Sequence, residues 1–536
     1  MDIRNLYPDD KGIPGEHNIE YIVQKDYLIN GEIRTWDGEM HQVLSPVYIR
    51  TNGDLVQKKL GEYPMLTEKE AAEAVAAAET AFDSGRGLWP TMSVAQRIKH
   101  MEKFILLMKD MKDEVVRLIM WEIGKSFKDS VKEFDRTVQY IKDTIDAVKD
   151  LDRKSSRFEM EEGIIGQIRR SPLGVVLCMG PYNYPLNETY ATLIPAIITG
   201  NTVIFKPPKF GVLVHRPLLE AFKISFPKGV VNTIYGDGER IIQPVMRSGK
   251  VNVLAFIGSS HVADLLKKAH PKPHRLRSVL GLEAKNTAII LADADLDTTI
   301  SEVLAGTLSY NGQRCTALKM LFVHRKIMPE FMRLLNEAIC KLKLGMPWEK
   351  DVDITPLPEE GKCEYLSGLV EDAVSKGASV TNRNGGLFFG NFFNPAVLFP
   401  VTSEMRVYHE EQFGPVIPVA AFDDIEEPLS YVIESNYGQQ VSIFGKNSDR
   451  IANLIDPLVN QVARVNINCQ CQRGPDVFPF TGRKDSAEGT LSVSDALRVF
   501  SIRSLVAAKE NSVNKEIITD IVRNNKSNFL STDFIF

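Results

Sequence analysis

The sequence predicts an α/β protein built on parallel sheets. Three observations carry this. From Gly174 onward, short apolar runs alternate with helical patterns; a second alternating block fills residues 296–467; and capped amphipathic helices precede both. The helices come first. Thr67-x-x-Glu70 and Ser93-x-x-Gln96 have capping-box spacing, followed by AAEAVAAAETAF (71–82) and IKHMEKFILLMKDMKDEVVRLIMWEIG (98–124). The first block reads as strands GVVLCM (174–179), TVIFK (202–206), VVNTIYG (230–236), VNVLAFIG (251–258) and NTAIIL (286–291), with helical segments between them. Such alternation implies right-handed crossovers and ligands outside the carboxyl ends of the strands. Strand candidates of the second block are MLFVH (320–324), AVLFP (396–400), PVIPVAAF (415–422) and ARVNIN (463–468). A hairpin with a glycine turn is expected within 157–174, and 496–508 reads as one strand. The Asn- and Ser-rich end is expected to be a loosely held tail.

Composition narrows the function classes. Across 536 residues, 64 Lys and Arg face 69 Asp and Glu, a net charge of −5, so no global basic field favours nucleic acid. With 44% hydrophobic and 25% charged residues the chain has globular composition. Six scattered cysteines are too few for a disulfide framework and favour a reducing compartment. No leader-like N-terminus and no run of about 18 apolar residues is present, and Phe534-Ile535-Phe536 matches no common C-terminal address, so a cytoplasmic, membrane-free protein is expected.

Read alone, the candidate site residues leave alternatives open. Cys315 in Asn311-Gly312-Gln313-Arg314-Cys315-Thr316 is either a nucleophile beside a cation or a half-buried thiol near a helix start. Asn183 in Gly180-Pro181-Tyr182-Asn183-Tyr184-Pro185 suits an oxyanion donor or a helix cap. Lys206 and Lys209 end a strand among prolines, where they can meet a ribose and a phosphate or simply water. The usual dinucleotide fingerprint is absent around Gly236 and Gly258. Cys469-x-Cys471 lacks a matching pair or a nearby histidine, so no metal is expected.

Taken in order, GPYNYP (180–185), FKPPK (205–209), FIGSS (256–260), NGQRC (311–315), EEQFGPV (410–416) and RGPDVFPFTGRKDS (473–486) resemble the aldehyde dehydrogenase superfamily. Within it, the likeness is to the NADP-dependent non-phosphorylating glyceraldehyde-3-phosphate dehydrogenases. The resemblance implies a Rossmann-type nucleotide-binding sheet (1–155 and 171–282) and an α/β catalytic domain (283–472). It further implies a small β oligomerisation element (156–170 and 490–508) ahead of a tail at 509–536. Cys315 would be the nucleophile and Asn183 its oxyanion donor. Lys206, Glu411 and Phe413 would hold the ribose and nicotinamide, Gly258 and Ser259 the pyrophosphate, and Lys209 the 2′-phosphate that selects NADP over NAD. Arg136, Tyr184, Arg314 and Arg473 would grip a substrate phosphate. The implied activity is oxidation of glyceraldehyde 3-phosphate to 3-phosphoglycerate, at the level of glycolysis, by a homodimer or homotetramer. Oxidation of other aldehydes or semialdehydes and acylation of coenzyme A are the alternatives. One departure stands out. Where the family places its general base, this chain has Gly281, with Glu283 two residues later. In an extended segment the two share a face, so Glu283 is the expected deacylating base.

Overall fold

A computed structural model describes residues 3–533; the 534–536 motif and the first two residues lie outside them. The eight-stranded sheet runs, edge to edge, Ala487–Glu488, Arg277–Gly281, Val251–Ile257, Val175–Met179, Thr202–Lys206, Val231–Thr233, Asp26–Ile29 and Glu32–Thr35. Its five central strands are parallel, and the edge partners are antiparallel. Strand order reverses beside Val175–Met179, the topological position where such sheets open a crevice.

A seven-stranded sheet follows, ordered Ser379–Val380, Ala396–Phe399, Val416–Phe422, Met320–His324, Thr287–Ile290, Gln440–Phe444 and Arg464–Ile467, with only the first strand antiparallel. The expected membership needs one correction. Thr287–Ile290 sits inside this second sheet, and Arg277–Gly281, whose polar start hid it, is the last parallel strand of the first.

The third sheet pairs Phe158–Glu161, Ile164–Pro172 and Ser501–Lys509 antiparallel. Its hairpin turns on Glu162 and Gly163, both at positive φ (49° and 74°), the pattern of a two-residue primed turn. The 496–508 segment is not one strand: Val493–Val499 is helical, and pairing starts at Ser501. Two strands expected nowhere, Met40–Thr51 and Asp54–Pro64, form a long hairpin ahead of the helices. The register there shifts twice, which breaks the period-2 pattern that would have announced it.

Both capping boxes exist, at Thr67/Glu70 and Ser93/Gln96. The tail is better held than its composition suggested. Ser512–Arg523 is a helix, Leu530 is buried, and the Ser531 carbonyl accepts from Gln167 Nε2 (2.6 Å) and Arg169 Nη2 (2.7 Å). Among the described residues no helix is long and apolar enough to cross a membrane.

Candidate active site

Cys315 follows a sharp left-handed turn. Tyr310, Asn311 and Gly312 have φ of 49°, 55° and 72°. Two of these are not glycine, so surrounding contacts must offset the strain. Tyr310 donates to Ile123 O (3.0 Å), and the Asn311 amide exchanges two bonds with Thr355. At Gly312 a Cβ would meet Gly414 O and Thr307 O at 2.7 Å, so glycine is required sterically as well. The Cys315 carbonyl then accepts from Asn286 Nδ2 (2.7 Å) and Lys319 Nζ (2.8 Å).

The 180–186 loop and the start of the helix that follows it are anchored from beneath by a buried ion pair that sequence reading missed. Lys125 on one side and Glu133, from helix Phe127–Ser155, are both fully buried and in direct contact. Lys125 Nζ also donates to Asn183 O (2.7 Å) and lies 3.6 Å from the Tyr184 ring centroid and 4.4 Å from that of Tyr310. Glu133 accepts from the backbone N–H groups of Leu186 and Asn187. Burial pulls the Lys125 pKa down, and Glu133 opposes that shift. Asn183, 4% exposed, donates its side-chain amide to Gln313 O (2.8 Å), two residues from Cys315. The oxyanion candidate and the nucleophile loop are therefore joined.

The EEQFGP segment is held by Lys285, whose Nζ donates to Val407 O, Glu410 O and Gln412 Oε1 at 2.6–2.7 Å. Gln412 continues the link to Lys319 O and Val416 O. Phe413 takes φ 44° and meets Tyr182 edge to face at 6.0 Å. Glu411 pairs with buried Lys319 (2.5 Å) and accepts from Ala284 N. Lys319 thus ties the proposed ribose carboxylate to the carbonyl of Cys315.

At the crevice of the first sheet lies a cavity of about 410 Å³ lined by Met179, Lys206, Lys209, Gly238, Phe256 and Leu266, among others. Lys206 is desolvated, which lowers its pKa to about 8, and donates only to Pro207 O (3.2 Å). Its remaining donors are available to a ligand hydroxyl. Open space beside Gly238 and the Lys209 ammonium, 5.7 Å from the Phe210 ring centroid, complete a lining that fits a ribose and its phosphate. Gly258 is sterically required there, since a Cβ would strike the Phe256 ring. Ser259 caps helix Ser260–Ala269 through Val262 N.

That helix also explains where Glu283 goes. Its two carboxylate oxygens accept from Ser260 N (3.0 and 3.1 Å), and one accepts from Ser260 Oγ. An anion at a helix N-terminus is favourable, so the side chain is drawn there instead of being offered to the thiol. Glu283, the expected deacylating base, is thus hydrogen-bonded to Ser260 in this structure. Gly281 ends its strand, and a Cβ there would meet Ile257 and Leu491 at ordinary contact distances of 3.4 and 3.7 Å.

Around Cys315, burial pushes the thiol pKa up; Glu188 adds to that shift, and Lys319 and Arg473 oppose it. Glu188 contacts Arg473 directly, is 6% exposed, and was overlooked in the sequence because nothing marks it within NETYATL. The four expected phosphate-binding residues divide. Arg136 forms a two-pronged pair with Asp476 (2.8 and 3.0 Å), and Arg473 bonds the same Asp476 (3.1 Å) and Leu491 O. Burial opposes the Arg473 charge, but Glu188 and Asp476 outweigh it and raise its pKa. Arg314 bonds the carbonyls of Ala305 and Gly306 and leaves its buried Nε without an acceptor. Arg314 and Arg136 both act on the Tyr184 hydroxyl. The structure therefore gathers these four, but with Asp476 and Glu188 neutralising two of the three guanidinium groups.

Comparison with known proteins returns one family model, "Aldehyde dehydrogenase family", over residues 48–505. An NADP-dependent glyceraldehyde-3-phosphate dehydrogenase of Streptococcus equinus is 33% identical over 494 residues, 90% of this chain and 97% of that protein. The Arabidopsis thaliana enzyme of the same name is 31% identical over 488 residues, 88% and 95% of the two chains. A crystal structure of the Bacillus halodurans C-125 enzyme of that name, complexed with NADP, superposes with TM-score 0.82 at 32% identity. It covers 91% of this chain and 100% of the other.

Two outcomes test this geometry. Lys125→Met strands Glu133 in the interior, and breaking such a pair costs about 3–5 kcal/mol; urea unfolding followed by tryptophan fluorescence should show the loss, and wild-type stability would exclude the anchoring role. Iodoacetamide labelling of Cys315 in the free protein should keep accelerating with pH beyond the usual cysteine value of about 8.5. A plateau reached by neutral pH contradicts a burial-raised thiol.

Proposed function

The chain belongs to the aldehyde dehydrogenase family, and from that premise we propose that it oxidises glyceraldehyde 3-phosphate to 3-phosphoglycerate with NADP, through a thioester on Cys315 and without incorporating phosphate. The observation that carries the reading is the joining of Asn183 to the Cys315 loop, with Tyr184, Arg136, Arg314 and Arg473 grouped beside it. Relatives named for this activity support the same substrate and cofactor.

Cys315 Sγ attacks the aldehyde carbon as its proton passes to a carboxylate and from there to solvent, and the new oxyanion is met by the Asn183 amide and the Cys315 backbone N–H. Lys206, Lys209, Gly258, Ser259, Glu411 and Phe413 would hold NADP, whose nicotinamide ring supplies the hydride acceptor when bound. Water then adds to the thioester, a carboxylate takes its proton, and collapse returns the thiol and releases the acid. Glu188 is the candidate for that carboxylate: Glu283 is bonded to Ser260, and the Glu188 charge, paired with Arg473, contributes to the raised pKa of the Cys315 thiol. For the substrate phosphate, the free Nε of Arg314 is the donor already available, and Arg136 and Arg473 must share their carboxylate partners with it.

Roles follow for the larger parts. The first sheet would bind the cofactor and the second carry the nucleophile. The outer edge of strand Ser501–Lys509, with exposed Ile502, Leu505 and Val506, would join a second copy in a homodimer or homotetramer. Six free cysteines support a cytoplasmic setting.

Initial rates with glyceraldehyde 3-phosphate and with glyceraldehyde, each with NADP and NAD, test the reading. Charge-assisted bonds to the phosphate worth about 2 kcal/mol would favour the phosphorylated substrate about 30-fold in kcat/KM; equal efficiency would sink the phosphate assignment. Loss of the acting base leaves a single NADPH burst and abolishes turnover. Glu188→Gln should behave in this way and Glu283→Gln should retain turnover. The opposite pattern returns the role to Glu283.

A further inference from the structure

The larger of the two cavities described, about 590 Å³, lies away from Cys315, between the start of helix Val94–Asp110, the end of helix Phe127–Ser155, strand Ile164–Pro172 and the C-terminal segment. Three guanidinium groups line it, from Arg97, Arg169 and Arg170, against one carboxylate, Asp152. Arg97 is 6% exposed and is held by main-chain carbonyls alone, Ile198 O (2.9 Å) and Met92 O (2.5 Å). Burial lowers its pKa to about 10, so it stays charged at neutral pH without a bonded carboxylate. Arg169, 8% exposed, pairs with Asp152 (2.7 Å) and reaches Ser531 O, and its buried Nε has no partner. Arg170 bonds Ser501 Oγ, Ser501 O and Arg498 O, again without a carboxylate.

These features point one way. Among the described residues two guanidinium groups make no hydrogen bond to a carboxylate, although Asp152 acts on Arg97 through its charge; a buried N–H is unfilled, and the positive end of the 17-residue helix Val94–Asp110 faces the same space through its cap Ser93. Phe82, Leu151 and Phe529 supply an apolar wall. The volume lies in the range of small-molecule pockets, about 300–1,000 Å³, and far exceeds what an inorganic anion fills. We propose that this cavity binds a small organic anion, a phosphate monoester with an apolar body, and that Ser527–Phe529 cover it.

Its covering segment lies outside the residues that the family model matches, 48–505. The cavity also meets Ile198 and Thr199, at the far end of the helix whose first turn carries Glu188. An occupant would sit one helix length from the candidate catalytic carboxylate.

Isothermal titration of phenyl phosphate into the full chain saturated with NADP tests the proposal. Wild-type protein should bind it saturably. Arg170→Gln and Phe529→Ala should each weaken that binding at least tenfold while leaving the aldehyde KM unchanged. Phenol alone should give no binding, and amide hydrogen exchange at Ser527–Phe529 should slow when phenyl phosphate is present. Phe529 lies in the terminal segment, so its variant remains informative if Arg170→Gln folds poorly. Absence of binding to wild type overturns the site, as does binding that Phe529→Ala and Arg170→Gln leave intact. Equal affinity for inorganic phosphate would overturn the organic ligand class.

Discussion

The buried pair of Lys125 and Glu133 is the interaction on which the candidate active site rests. Removing two charges from water is expensive, and their attraction offsets the cost only when every remaining donor and acceptor is used. Here they are. Lys125 serves Glu133, the Asn183 carbonyl and the faces of Tyr184 and Tyr310, and Glu133 serves the first N–H groups of helix Asn187–Ile198. One pair therefore sets the Asn183 loop, the turn before Cys315 and the start of the helix bearing Glu188. A hydrophobic pair of similar volume would fill the space but could not satisfy those backbone groups.

Lysines recur in this organising role. Lys285 gathers the loop that presents Glu411 and Phe413, and Lys319 links Glu411 to the carbonyl of Cys315. Each compact ammonium bonds two or three acceptors from distant segments. The arginines do different work. Their forks engage carboxylates at Asp476 and Glu188, producing a neutralised cluster, the one proposed to meet the substrate phosphate. Cofactor crevice, thiol and anion cluster thus share one framework of fixed cations.

Much of the fold was legible because parallel strands buried on both faces read as continuous apolar runs, as GVVLCM and MLFVH do. The capping boxes were legible because they are local. Arg277–Gly281 and the hairpin Met40–Pro64 were not: one starts with polar residues, and the other carries register shifts that erase alternation. The tail misled through composition, because its hold comes from a few hydrogen bonds with Gln167, Arg169 and Thr91, hundreds of residues away.

The site divides along the same line. Cys315, Asn183, Lys206, Glu411 and the arginines sit in short motifs whose order along the chain carries the family likeness, so the sequence by itself determined the chemistry available. It could not determine partners. Where Glu283 points, how Glu188 and Asp476 divide the arginines, and which lysine holds which loop are settled by contacts between segments tens to hundreds of residues apart. Electrostatics in a desolvated interior depend on distance and burial, and neither is written in local sequence. Only the tertiary structure therefore decided that Glu283 bonds the start of a helix and that the Glu188 charge, paired with Arg473, contributes to the raised pKa of the Cys315 thiol.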